Sequence, residues 1–305
     1  MNKVTVLGSV NLDTTIRMER LPLPGETVHS SEMFSSGGGK GANQAIAAQR
    51  SNADTSFIGA VGNDEQGKLL LDLLVQDGID VTGVQIIQSD RTGSAVVMVD
   101  EQAENSIVIY SGANKKINLS ECEVAEKIIV ASDFLVSQFE INIDAIIEAF
   151  KIAKRNGVRT LLNPAPAMDE IPAELLKYTD ILIPNQSEAE RITGIKINTD
   201  EQLYSATNQI KKYGVEVVII TLGSKGSYYM SEEKSGKIPA QVVQAIDTTA
   251  AGDTFIGSLA ANLSVDFSNL EDAIVYASKA SSIAVQRYGA QPSIPYAEEI
   301  NLQTV

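Results

Sequence analysis

Two kinds of segment alternate along the chain, and that alternation restricts the fold more than any other feature. Short apolar runs rich in β-branched residues recur as VTVLGSV at 4–10, TSFIGAV at 55–61, DFLVSQ at 133–138, VRTLLN at 158–163, DILIPN at 180–185 and VEVVIITLG at 215–223. Between them lie longer segments with apolar residues at helical spacing, such as QGKLLLDLLVQDG and IDAIIEAFKIAKRNG, each closed by a glycine that stops a helix. Strands that are apolar on both faces, separated by helices, predict an α/β fold: a mostly parallel central sheet with helices on both faces. Ligands of such sheets bind beyond the carboxyl ends of the strands. Those ends carry the unusual residues here, in GSVNLD, NPAP, PNQSEAE, TLGSKG and DTTAAGD, which favours one composite cleft.

Two stretches break the rhythm. Residues 14–36 have prolines and partial alternation without a helix period, and residues 92–110 read as two strands joined by a polar turn. They are expected to pair into a small sheet apart from the main one, serving as a lid or an oligomer contact; an edge hairpin of the main sheet is the plainer alternative. No clean cut divides the chain, so residues 1–305 are expected to form one α/β domain carrying this lid.

Composition narrows the chemistry. One histidine, His29 in a polar stretch, and one cysteine, Cys122, leave no basis for a zinc site or a disulfide framework, and a Ser-His-Asp triad would depend on His29 alone. A base, if there is one, is then a carboxylate, and a metal is a hard, oxygen-bound cation. A formal charge of −15, from 24 basic and 39 acidic residues, disfavours broad nucleic-acid binding. No apolar run approaches the ~18 residues of a membrane span. With no signal-peptide layout in MNKVTVLGSVNLD, the cytoplasm is the expected location.

GGGKGANQAIAAQR at 37–50 resembles a phosphate-binding loop only on the surface. Gly41 follows Lys40 where Ser or Thr is required, and Phe34 stands where the first glycine belongs. What remains is a glycine run opening an alanine-rich helix, either a flexible turn or a loop letting backbone approach a ligand beside Lys40 and Asn43. Asn11 and Asp13 in GSVNLD share a face just past a buried strand; they suit vicinal hydroxyls, although a turn is the simpler reading of the pair alone.

IDTTAAGDTFIG at 246–257 is the most telling stretch. Small residues at 248–252 let successive backbone N–H groups converge on one point, and the helix that follows adds its positive end. Asp253 falls in the first helical turn. It is either a helix cap or a base beside a bound phosphoryl group, taking the proton of an attacking hydroxyl.

With these motifs in order, the chain resembles the ribokinase branch of the phosphofructokinase-B sugar and nucleoside kinases, from GSVNLD through GGKGANQA, NPAP, PNQSEAE, TLGSKG and DTTAAGD to RYGAQPS at 287–293. The resemblance implies a ribokinase-like fold and transfer of phosphate from MgATP to a sugar hydroxyl, in this branch the 5-hydroxyl of D-ribose. It implies Asp253 as base, with the backbone of Ala250, Ala251 and Gly252 as an anion hole. Sugar contacts map onto Asn11, Asp13, Gly39, Lys40, Asn43, Glu140 and Asp253, and Glu140 can also be read as a helix-start acid. Nucleotide contacts map onto Asn185, Thr221, Leu222, Gly223, Ser224, Lys225, Gly226, Gly252 and Ser278. Glu188 is implied to organise Mg2+ through water, or else to be a helix-start carboxylate. Asp247, Thr249, Ala284, Arg287, Gly289 and Ser293 are implied to hold a monovalent cation, K+, mostly through carbonyls. A homodimer through the lid is implied, with no nucleic-acid or membrane partner. Two alternatives stay open: a kinase for another sugar or nucleoside, and a non-catalytic sugar-binding regulator.

Overall fold

A computed structural model describes residues 1–102 and 104–302. The chain enters the core as β1 (Lys3–Leu7) and leaves it in an antiparallel pair, β2 (Asn11–Met18) and β3 (Ser30–Gly38). It returns through α1 (Lys40–Arg50), β4 (Asp54–Gly62), α2 (Glu65–Gln76) and β5 (Asp80–Ile87), then departs again in β6 (Gly93–Val99) and β7 (Asn105–Tyr110). Strand and helix next alternate through α3 (Ala125–Val130), β8 (Phe134–Gln138), α4 (Ile143–Arg155), β9 (Arg159–Asn163) and α5 (Ala173–Lys177). After β10 (Ile181–Leu182) come α6 (Gln186–Thr193), α7 (Asp200–Lys211) and β11 (Val217–Thr221). A hairpin of β12 (Ser227–Met230) and β13 (Ser235–Ile238) precedes α8 (Ala251–Asn262), α9 (Leu270–Ala284) and α10 (Ala297–Leu302).

The main sheet has nine strands in the order β13-β12-β11-β10-β9-β8-β1-β4-β5. β11 through β5 in that order are parallel, and the β12–β13 hairpin adds an antiparallel edge. Period-two alternation explains why the central strands are apolar throughout. Val4, Val6, Phe57, Phe134, Val136, Val217 and Ile219 pack into one core, while Leu7, Ile58, Leu135, Val218 and Ile220 pack into a second on the opposite face. Each such side chain contributes roughly 1.5–3 kcal/mol by leaving water.

The six apolar runs are β1, β4, β8, β9, β10 and β11. β10 is short because Pro184 has no N–H for the ladder and Asn185 already caps α6. The two helical segments are α2 and α4, and Gly78 (φ 88°) and Gly157 (φ 76°) follow them in the left-handed conformation. β5 and β13 carry no comparable run because they are partly exposed edge strands; β12 is mostly buried, but its four residues SYYM contain no β-branched run.

The two excursions pair with each other, in the order β3-β2-β6-β7, as a sheet separate from the main one. Its strands are longer than the sequence predicts on one side, running from Asn11 rather than residue 14 and on to Gly38. Asn11 pairs with both Gly38 and Gly93, so Asn11 and Asp13 belong to a strand and not to a turn.

In the main sheet β1 lies between β4 and β8, and the chain winds outward in both directions from there. This is a topological switch point, where the loops leaving β1 and β8 part and open a crevice.

Candidate active site

The site is built where α1 and α8 cross. Their approach depends on Gly257: a Cβ there would lie 2.2 Å from the Gln44 carbonyl oxygen and 2.6 Å from Ala47 Cβ. This closeness brings Asp253, in the first turn of α8, against polar residues of α1. Asp253 is 7% exposed and does not cap its helix; the N-cap is Ala250, which makes no side-chain hydrogen bond. Its carboxylate turns to α1 instead. Asn43 Nδ2 donates to Oδ2 at 3.0 Å and Gln44 Nε2 to Oδ1 at 2.9 Å. The capping alternative therefore fails.

Ala250 sits at φ 58°, ψ 10°, a left-handed conformation that costs a non-glycine residue on the order of 1–2 kcal/mol. A left-handed residue running into a helix start makes an anion-binding concavity of N–H groups. Among the described residues the N–H groups of Ala250, Gly252 and Asp253 have no hydrogen-bond partner, while that of Ala251 closes a turn onto Thr248 O at 3.3 Å. The space a Cβ would take at Gly252 is open to 4 Å.

Lys40, the first residue of α1, sits among acids. Glu140 Oε2 accepts its backbone N–H at 3.0 Å and the Ser9 hydroxyl at 2.5 Å, so Glu140 serves the start of α1 from the end of β8. Asp253 first, then Glu140 and Glu188, hold the Lys40 ammonium above its usual range against the opposing effect of burial. Asp13 is pushed up to about 7, by burial first and then by the charges of Glu140 and Asp253. Asp13 Oδ1 and Asn43 Oδ1 are buried without a hydrogen-bond partner, the signature of polar atoms awaiting a ligand. Asn11 Oδ1, in contrast, already accepts from Asn114 Nδ2 at 2.8 Å, leaving its amide hydrogens to offer. Gly39 joins β3 to α1 at φ 88°, where a Cβ would lie 2.9 Å from the Asn11 nitrogen.

A cleft of about 210 Å3 beside this cluster is lined by Lys40, Asn163, Asn185, Glu188, Thr221 and Thr248, with Ala250–Asp253 as its floor. A larger hollow, about 440 Å3, lies between the β12–β13 turn and the start of α9, but Glu232, Glu233, Asp266 and Asp272 line it and would repel phosphate. Asn185 and Glu188 form a capping box on α6. Asn185 Oδ1 accepts the Glu188 N–H at 2.8 Å, and Glu188 accepts from the Asn185 backbone N–H at 2.8 Å and from Nδ2 at 2.9 Å. Burial raises the Glu188 carboxyl, and the Asn185 N–H and Lys40 oppose it. Both of its oxygens are engaged, so it suits a cation through intervening water.

The Asn185–Thr221 bridge carries the strand end into Leu222, Gly223, Ser224, Lys225 and Gly226, a tight turn whose middle three residues are exposed. Ser278 lies half-buried on α9, outside the cleft lining; one turn on, the Ser281 hydroxyl donates to Ala251 O at 2.9 Å.

Asp247 draws two distant loops together. Its Oδ1 accepts the N–H and hydroxyl of Thr249 at 2.9 and 2.6 Å, and its Oδ2 accepts the Gly289 N–H at 2.9 Å. Burial acts against its charge, but these bonds and Arg17 hold the carboxyl below its usual range. The Arg287 guanidinium is turned away to Glu299, and Ala284 and Ser293 are fully buried.

Four residues that sequence reasoning missed complete the site: Gln44, Gln138, Asn163 and Asn114. Gln44 was open to discovery, because an amide pair stands in an otherwise alanine-rich buried helix, where a polar residue needs a partner.

The pfkB family carbohydrate kinase profile matches residues 1–297, and the chain belongs to that family. It is a phosphotransferase of the α/β class that this fold and site define. A ribokinase of Staphylococcus aureus is 44% identical over 98% of this chain and 99% of its own length. A bifunctional ribokinase/ribose-5-phosphate isomerase A of Fructilactobacillus sanfranciscensis is 46% identical over 98% of this chain, which spans only 56% of that protein. The structure of Arabidopsis thaliana ribokinase complexed with ribose and ATP superposes with a TM-score of 0.92, at 35% identity, covering 98% of this chain and 97% of that one. Among the described residues no helix is long and apolar enough to cross a membrane.

Proposed function

We propose that the protein phosphorylates D-ribose on its 5-hydroxyl with ATP, giving D-ribose 5-phosphate and ADP. One observation carries the reading: a buried acid that caps nothing, Asp253, is oriented by two amides beside an unpartnered helix start. The relatives named ribokinase, and the neighbour complexed with ribose and ATP, support the choice of substrates.

Asn11, Asp13, Lys40, Asn43 and Glu140 hold the sugar hydroxyls, and the backbone between Gly39 and Lys40 lies against them. Asp253 accepts the proton of the 5-hydroxyl as its oxygen bonds to the γ-phosphorus. The bond from that phosphorus to the β-phosphate oxygen breaks, and ADP leaves with the electron pair. The amides at Ala250 and Gly252, which have no other partner, receive the charge on the transferring group, while the Ala251 amide holds the turn onto Thr248. Asn185, the Thr221–Gly226 turn, Gly252 and Ser278 hold the nucleotide.

Glu188 would hold Mg2+ through water, and that ion would neutralise phosphate oxygens. Asp247, Thr249, Ala284, Arg287, Gly289 and Ser293 would hold K+, which would stiffen the loop that carries the amides. The four-stranded sheet acts as a lid on one domain spanning the whole chain. Its Met33, Val96 and Val108, exposed on the face opposite Asp13, support a homodimer formed through that lid. A cytoplasmic setting suits these substrates and the lone cysteine.

Initial rates with MgATP across pentoses, hexoses and adenosine, first in K+ and then in Na+, test the reading. Ribose is expected to lead, with the higher rate in K+; equal or better turnover of a hexose or adenosine would refute it.

A further inference from the structure

Asp253 is tied to a run of buried amides that the mechanism above does not use. Gln44 Nε2 donates to Asp253 Oδ1 at 2.9 Å and lies 3.3 Å from Asn163 Oδ1. Gln44 Oε1 accepts from Gln138 Nε2 at 2.6 Å, and Asn163 Nδ2 is held by the Ile183 carbonyl at 3.0 Å. Gln44 and Gln138 are fully buried. Room for Gln138 is made at the end of β1, where a Cβ on Gly8 would lie 2.4 Å from Gln138 Oε1.

We propose that Gln44, locked by Asn163, is a positioning residue that sets which way the Asp253 carboxylate faces. The argument is one of direction. A primary amide has a donor end and an acceptor end, and it can turn end for end only if both neighbours tolerate the exchange. Asn163 Nδ2 is spent on the Ile183 carbonyl, so Asn163 Oδ1 must face Gln44. With Asp253 Oδ1 beside it, that makes two acceptors, which only the Gln44 nitrogen can meet. Gln138, whose Oε1 has no partner, fixes nothing by itself. Asn43, the other donor to Asp253, has no such lock, because its own oxygen is without a partner. One oxygen of Asp253 is therefore pinned from the protein interior and the other by a side chain that also borders the ligand. Rotation of the carboxylate would break both bonds at once and strand buried polar atoms. A core-filling role alone would be met as well by an apolar side chain of the same length, which needs no partner.

This inference rests on Asp253 being the base, and the test separates the two claims. In the full-length enzyme Gln44→Met keeps the volume and removes the donor. The turnover number is expected to fall about 10- to 100-fold, the scale set by small misplacements of a reacting group, with the ribose KM changed by less than about threefold. In an Asp253→Asn background the same change should alter the residual rate by less than about twofold, because groups acting as a unit are non-additive. Asn163→Leu should lower turnover less, since the Gln44 donor remains but is free to turn, and it is read in the same two backgrounds if Gln44→Met does not fold. An equal loss in both backgrounds, a loss confined to KM, or no loss would overturn the positioning role. Full activity of Asp253→Asn alone would overturn the base instead.

Discussion

Asp253→Asn is the sharpest probe of the site, and the structure says how well the altered protein should tolerate it. The carboxylate accepts on both oxygens, from Asn43 at 3.0 Å and Gln44 at 2.9 Å. An asparagine must present its NH2 to one of these donors, and two donors face to face would cost about 1–3 kcal/mol. Gln44 cannot turn, because its oxygen would then face Asn163 Oδ1, whose own NH2 is held by the Ile183 carbonyl. Asn43 can turn, because its Oδ1 has no partner to lose. The new amide should therefore direct its oxygen to Gln44 and its NH2 to a reversed Asn43. Charge effects oppose one another: Lys40 loses its main partner, while Asp13 is relieved of a like charge. The net loss of stability should stay within about 1 kcal/mol, a Tm change of roughly 2–4 °C. Turnover should nevertheless fall by about 10²–10⁴-fold, the usual contribution of a positioned base. A coupled ADP-release assay gives the rate, calorimetry gives the ribose affinity, and thermal unfolding gives the Tm. Turnover within tenfold of the unaltered enzyme, with ribose still bound, would refute the base; a Tm drop beyond about 8 °C would refute the reversal of Asn43.

Asp13, whose carboxyl is pushed up to about 7, should give ribose affinity that rises with pH between 6 and 8, because hydroxyls donate to the ionised form; Asp13→Asn should remove that slope, as calorimetric titrations at several pH values would show. The same shift makes the folded state keep a proton that the unfolded chain has lost, so the ligand-free protein should lose stability as pH rises from about 4 to 7, and the Asn variant should not. Asn185→Ala removes the capping box and should cost about 1 kcal/mol in urea unfolding. If the nucleotide KM is unchanged in that variant, Asn185 is a cap and nothing more. Gly257→Val should destabilise by about 1–3 kcal/mol and lower turnover as well, since it drives α1 and Gln44 away from α8.

Chemistry was more legible in the sequence than its geometry. The parallel core could be read because its strands are buried on both faces, which makes them continuously apolar; β13 at the edge is partly exposed, β12 beside it is only SYYM, and both escaped. Asp253 was visible because side-chain bulk is cleared around it in TTAAG. Whether it caps α8 could not be settled locally, since the deciding partners, Asn43 and Gln44, come from a helix two hundred residues earlier, at separations of 210 and 209. Gln138 was hidden for the same reason. It ends an ordinary apolar strand, and only the β1–β8 pairing, with Gly8 opposite, shows that its amide points inward.

The electrostatics of the pocket explain why such an arrangement persists. Glu140, Glu188 and Asp253 act on Lys40, and Glu140 and Asp253 also act on Asp13, so the ligand-free site holds more negative charge than it balances. Burial makes that excess costlier, and it shows in Asp13, which holds its proton up to about pH 7. Sugar hydroxyls donate to carboxylates without adding charge, and cations brought with the phosphates offset the remainder. The free protein is thus held in a state that its ligands relieve, which places binding energy where the reacting groups meet. Lys40→Met should sharpen the effect, because it takes a balancing charge from Asp253, Glu140 and Glu188.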